Sequence, residues 1–264
     1  MGVVLHVPHA SMRVPDDVRA GIVLDDAALA TELLASTDLH TDMLVAGLGT
    51  LDTDRVRLHV NTHSRLVVDP ERFLDPDREP TEAVGRGAVY TRGHDGRVVR
   101  DADAPGFATL RADLIERFFV PYHASIEQLV ADMVAAHGRC TIVDVHSYPR
   151  DAQRYELAGG LAPDAPRPEL CIGTDPAHTP RTLIALVDDA ATSLGIGTVR
   201  DTPFAGTFVP TRFLGDARVT SVMLEIRRDT CVDETTGEPH DGLARMRTLV
   251  EQVVERLIAR LDAG

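Results

Sequence analysis

Thr141-Ile142-Val143-Asp144-Val145-His146-Ser147-Tyr148-Pro149 is the stretch that decides how this chain is read. A β-branched apolar run closed by proline reads as a buried strand. Asp144 and His146 stand two positions apart in it, so they share one strand face. Two other segments have the same build. Val3-Val4-Leu5-His6-Val7-Pro8-His9 carries its histidines on a short apolar run, and Ser221-Val222-Met223-Leu224-Glu225-Ile226-Arg227-Arg228-Asp229 places a carboxylate inside one. In an open α/β sheet the carboxyl ends of the strands converge on a single crevice, where ligands bind. Histidines and a glutamate delivered to that crevice are the parts of a hydrolytic zinc site. Imidazoles hold the metal, and the carboxylate handles the proton of water.

Working outward, the pattern alternates between strands and helices and predicts α/β layers. Residues 26–36 read as a helix. Ser36-Thr37-Asp38 offers acceptors for capping a second helix that runs to about Gly47. Residues 56–60 alternate as a strand with one wetter face, and Leu66-Val67-Val68-Asp69 reads as a short extended piece ended by Pro70. Residues 73–106 are rich in Pro, Gly, Asp and Arg and read as a long ordered excursion over the site. From Phe107 to His137 apolar residues recur at helical spacing, with Pro121 expected to kink or split the helix. A Pro-rich loop leads into a strand at 170–173, and a further helix runs from Pro180 to Leu194, with Gly195 past its end. A short strand near Val199, a strand over 219–226 and an amphipathic helix over 242–261 complete the pattern.

The bulk properties bound the function. A chain of 264 residues fits one large domain, or at most two small ones. A net charge of −14 makes nucleic acid a poor partner. With no apolar run of membrane-spanning length, no membrane association is expected, and the opening VVLHV segment does not read as a secretory leader. Cys140, Cys171 and Cys231 are widely spaced and form no CxxC pair, which fits reduced thiols in a cytoplasmic protein. All 27 basic residues are Arg. The absence of Lys removes Schiff-base chemistry and weakens any inference of anion recognition drawn from Arg alone. No GxSxG, P-loop, GxGxxG or HExxH pattern is present.

Each candidate has a plainer reading beside the chemical one. His9 follows the first strand and reads as a metal ligand or as a satisfied histidine. His6 reads as structural. His146 closes an apolar strand, where a metal, a carboxylate or the backbone must satisfy its ring. Asp144 is placed to orient it. Glu225 reads as a general base, or as the ion-pair partner of Arg227 on the same strand face. Asp38 and Asp42 stand four apart and read as sharing one helix face. Arg65 and Arg72 bracket VVDPE and could clamp a substrate carboxylate, or merely occupy the surface.

Taken in order, HVPHAS, STDLHTDML, HSRLVVDPER, GAVYTRGHDGRVVR, PYHASIEQL, DVHSYP, TPFAGTF and LEIRRD resemble the N-formylglutamate amidohydrolase family, over residues 3 to about 235. That family is similar in fold to the zinc carboxypeptidases. The resemblance implies a single α/β domain over 1–264 with a mixed central sheet flanked by helices, of the zinc carboxypeptidase or phosphorylase/hydrolase type. His146 in HSY looks like the strand-end zinc histidine of the carboxypeptidases, Glu225 in LEIR like their catalytic glutamate, and His9 like their first zinc ligand. Met12 stands where their HxxE motif has Glu, so the carboxylate ligand must come from elsewhere. Asp38 is the first choice and Asp42 the second. Glu71 replaces the Asn of the family's DxNR-like segment.

The expectation is therefore a zinc amidohydrolase, or one using another divalent metal, held by His9, Asp38 and His146. Glu225 is its catalytic residue, and Arg65 and Arg72 bind the carboxylates of a small N-acyl amino acid. N-formyl-L-glutamate leads as substrate. A related peptidase or N-acyl amino acid deacylase, or a non-catalytic binding protein on the same fold, are the alternatives. Oligomeric state is left open.

Overall fold

Six strands form one mixed sheet. They are β1 (Gly2–Val7), β2 (Val56–Val60), β3 (Cys140–Tyr148), β4 (Leu170–Gly173), β5 (Thr198–Arg200) and β6 (Val219–Arg227). Their hydrogen-bonded order is β2-β1-β3-β6-β4-β5. The pairs β1–β2, β1–β3, β3–β6 and β4–β5 are parallel, and β4 runs antiparallel to β6. The computed structural model describes the backbone of residues 1–262 and the side chains through residue 259.

The three central strands explain why the sheet is buried on both sides. On one face Val3, Leu5, Val143, Val145, Val222, Leu224 and Ile226 pack against α7 (Arg181–Ser193) and α8 (Gly242–Asp262). On the other, Val4, Ile142 and Val219 pack under Ile126, Val130, Met133 and Val134 of α5 (Val120–His137). Period-two alternation then divides the labour. The first face is apolar through its middle, with Thr141 and Thr220 hydrogen-bonded to each other at 2.8 Å at one end and Ser147 at the other. The second passes from Val4 to His6, from Ile142 to Asp144 and His146, and from Ser221 to Glu225 as the strands approach their carboxyl ends. Core and chemistry are successive floors of one face.

The helices depart from sequence expectation at two places. α2 (Asp26–Ser36) starts where Asp25 accepts a hydrogen bond from the backbone N–H of Ala28 at 2.8 Å. The next helix, α3, covers only Thr41–Val45, because His40 adopts a left-handed φ of 62° and its Nε2 bonds the carbonyl of Gly237 at 2.8 Å. Asp38 therefore lies in the turn between α2 and α3, its side chain free of capping duty. The Phe107–His137 run divides into α4 (Phe107–Leu114), a π-helical turn (Ile115–Phe119) and α5, with Pro121 in the first turn of α5. The run stays helical without a break, and the wider π turn immediately before Pro121 accommodates the hydrogen bond that a proline cannot make.

Leu66–Val68, expected to be extended, forms a buried turn instead. Ser64 accepts from the N–H of Leu66, and the buried Arg100 donates to the Leu66 carbonyl at 2.6 Å. The excursion over 73–106 is ordered by two 3₁₀ turns, Pro76–Arg78 and Pro80–Val84, and by core residues Val89, Tyr90 and Val99. Glu32 of α2 accepts from both the backbone and the ring of His94 and fastens the excursion to the body. No helix among the described residues is long and apolar enough to cross a membrane.

Candidate active site

The carboxyl ends of β1, β3 and β6 open into a cavity of about 830 Å³. His9 reaches it from the residues just after β1, His146 from the end of β3, Glu225 from β6, and Asp38 from the α2–α3 turn. The turn is pinned by a hydrogen bond from the N–H of Asp38 to the carbonyl of His9, 3.0 Å. One Asp38 oxygen consequently lies 3.1 Å from Nδ1 of His146 and 3.6 Å from Nδ1 of His9. Asp42 is exposed on α3 and faces away, accepting from the N–H of Met43.

Each histidine is oriented from behind. His9 Nε2 donates to Asp69 at 2.8 Å, and His146 Nε2 donates to Asp144 at 3.0 Å. Carboxylates placed this way fix the ring and leave the opposite nitrogen for a metal. His9 Nδ1 is buried and has no hydrogen-bond partner, an orphaned atom that a cation would satisfy. Donor atoms from His9, Asp38 and His146 all lie within 4.8 Å of one another. Two imidazoles and one carboxylate form a donor set suited to a divalent metal. The electrostatics agree. Burial disfavours a charged His146, but Glu71 and Asp144 outweigh it and hold the ring's pKa well above its usual value. Burial likewise opposes ionisation of Asp38, and the His146 and His9 rings overcome it. The carboxylates around the two rings favour positive charge at this spot.

Glu225 stands apart from these ligands. It is paired in register with His146 across β3 and β6 and is buried. Its Oε2 has no hydrogen-bond partner. Burial pushes its pKa up to about 8. Arg227 does not neutralise it: that guanidinium donates to Asp229 and to the Arg167 carbonyl, each at 2.7 Å. The ion-pair explanation of Glu225 therefore finds no support in the contacts.

Arg65 and Arg72 both line the cavity. Every guanidinium nitrogen of Arg65 is engaged, two by Asp69 at 3.2 and 2.9 Å and the third by Asp38 and the Ser36 carbonyl at 3.4 Å. Arg72 is looser. Its Nε lies 3.6 Å from Asp69, and that atom makes no hydrogen bond.

Three residues to which the sequence assigns no role in the chemistry stand at the site. Asp69 is fully buried and joins His9, Arg65, Tyr90 and the N–H of Glu71 through its two oxygens. Glu71 projects into the donor set, 3.2 Å from His146 Nε2 and 3.7 Å from His9 Nδ1. His6 donates to Asp144 at 2.8 Å and meets the Tyr122 hydroxyl on its other side. Strand parity was a usable signal for His6, since it faces the same way as Asp144 and His146. For Asp69 and Glu71 the DxNR-like segment was the usable signal, but their positions depend on the buried turn at Leu66.

The model of the family described as N-formylglutamate amidohydrolase matches residues 1–232, a span that holds every residue named in this site. A Pseudomonas aeruginosa protein named N-formylglutamate deformylase is 27% identical over 262 residues, covering 97% of this chain and 92% of that protein. The crystal structure of an N-formylglutamate amidohydrolase from Ralstonia eutropha JMP134 superposes with a TM-score of 0.82 at 22% identity, over 100% of this chain and 95% of that one. A structure of an Agrobacterium tumefaciens gene product gives a TM-score of 0.68 at 17% identity, covering 98% and 91% of the two chains. The two crystal structures share the fold described above.

Proposed function

The chain belongs to the N-formylglutamate amidohydrolase family, and from that premise we propose that it hydrolyses the amide of N-formyl-L-glutamate to formate and L-glutamate, using a divalent metal, zinc first, held by His9, Asp38 and His146. The observation that carries the reading is Glu225, a buried carboxylate with an unpartnered oxygen, placed in register beside His146 at the rim of the donor set.

The bound metal supplies a Lewis acid for the amide carbonyl and lowers the pKa of water. The protein's own residues do the rest. Asp69 and Asp144 hold the two rings in the orientation that presents the free nitrogens. Glu225 accepts the proton of the attacking water and returns it to the departing amine, so that glutamate leaves as a neutral amine rather than as an amide anion. A carboxyl group whose pKa is raised by burial is matched to that exchange near neutrality, and a cation beside it favours its ionised form. Arg72, with its free Nε, takes the substrate α-carboxylate. Arg65 supports the same wall by fixing Asp69 and Asp38 and by adding positive charge.

The test is formate release from N-formyl-L-glutamate by metal-replete protein, with metal content measured on the same sample. Stoichiometric metal, its removal by a chelator with loss of formate release, and recovery on readdition are expected. A metal-free preparation that turns over at the full rate removes the metal from the proposal, and a metal-replete one that releases no formate removes the substrate.

A further inference from the structure

Five arginines line the cavity: Arg65, Arg72, Arg78, Arg86 and Arg228. Arg65 and Arg72 face Asp69. Arg86 is stacked between Tyr90 and Tyr155 and lies 3.6 Å from Glu32. Arg78 is exposed and lies over the Phe73 ring. Arg228 combines burial with the lack of a direct ion pair, which none of these does. It is 3% exposed, it makes no ion pair among the described residues, and its Nε has no hydrogen-bond partner. Only Nη1 is held, by the carbonyls of Ala35 at 3.1 Å and Leu34 at 3.5 Å. Of the acids near it in sequence, Asp229 pairs with Arg227, and Glu234, which accepts from the N–H of Arg150, feels the charge of Arg228 through space without forming an ion pair with it.

A buried guanidinium with no carboxylate in direct contact is costly unless a partner arrives. Its position shows which partner. Strand alternation alone would put Arg227 on the face of Glu225 and turn Arg228 away. β6 ends at Arg227, however, and the 3₁₀ turn Arg228–Thr230 rotates Arg228 into the cavity. At about 3.3 Å per residue, three residues separate the backbones of Glu225 and Arg228 by no more than about 10 Å. With both side chains reaching into one cavity, that is the scale of a glutamyl group, its amide at one end and its side-chain carboxylate at the other.

We propose that Arg228 binds the side-chain carboxylate of a dicarboxylic N-acyl amino acid and so selects acidic substrates over their amides. This rests on the reading that the cavity takes an N-acyl amino acid, with Arg72 on the α-carboxylate. The C-terminal turn of α2 supplies the carbonyls that aim the guanidinium, and the planar fork presents its remaining N–H groups to a carboxylate.

The experiment compares L-glutamate with L-glutamine, by calorimetric titration of the metal-replete protein, and their N-formyl derivatives by kcat/KM. The wild-type protein should prefer the acid by about 10- to 100-fold. Arg228→Gln should abolish the preference by weakening glutamate alone, and Arg228→Lys should restore part of it. Equal or undetectable binding of the two amino acids by the wild-type protein overturns the proposal without recourse to any variant, and so does a preference that survives Arg228→Gln in folded protein. Preference for L-glutamate without formate release from either derivative keeps the carboxylate subsite and removes the amidohydrolase reading. Equal turnover of both derivatives does the reverse.

Discussion

Glu225 shows what a single residue can reveal at both levels. A charged group inside an apolar strand was visible as an anomaly in the sequence. Two explanations competed, a proton carrier and an ion pair with Arg227, and the contacts decide which partners are present. Arg227 is bound to Asp229, whereas Glu225 keeps a free oxygen beside the His146 register position. Replacing it by Gln preserves shape and removes basicity. The Gln variant is expected to retain its metal and melting temperature while kcat falls about 100- to 10,000-fold. Elemental analysis, thermal melting and formate release on one preparation make the check. Near-normal turnover at full metal occupancy would remove Glu225 from the chemistry.

Among the elements, the π turn and α5 connect the core to the site. The apolar stripe of this helix was legible from spacing, as was a disturbance at Pro121. The kind of disturbance was not. Inserting a π turn before the proline sets Tyr122 against His6 and sends His123 Nε2 to the Pro70 carbonyl at 2.8 Å. The same helix holds Ile126, fully buried against Val4 and Ile142 on the lower floor of the catalytic face. Ile126→Ala should cost about 2–5 kcal/mol of stability through lost burial and the cavity left behind. Denaturant unfolding of the metal-free protein measures it. Metal stoichiometry of the folded fraction should be unchanged, because the substitution lies below the ligands. A cost within experimental scatter of zero would mean that α5 is not the packing layer described here.

For the whole molecule, the three cysteines report on integrity. Cys140, Cys171 and Cys231 are free and buried in different parts of the body. Burial pushes their thiols up to about 12, about 11 and about 11. At pH 8 all three lie well on the thiol side of their titration, and the thiolate is the reactive form. Native protein at that pH should therefore resist alkylation at each position. Modification should track global unfolding as denaturant is raised, read by mass spectrometry of intact protein. One cysteine labelling fast in native buffer would expose a local opening that the packing does not predict.

The period-two strands, their apolar fill and the residue types at their ends are readable from the chain's local pattern. These follow from local alternation and from the cost of burying charge. They sufficed to single out His9, His146 and Glu225, and to note Asp144 behind His146. Which partners those residues meet depends on the folded molecule. Asp38, rather than Asp42, comes to the histidines because a left-handed His40 ends the turn and shortens α3. Asp69 and Glu71 arrive through a buried turn where alternation suggested a strand. Arg228, not Arg227, enters the cavity because β6 stops one residue before it. In each case the deciding quantity is the direction a side chain takes where a regular element ends. That direction depends on which distant backbone groups are there to satisfy the chain, a contact that periodicity along the sequence does not encode.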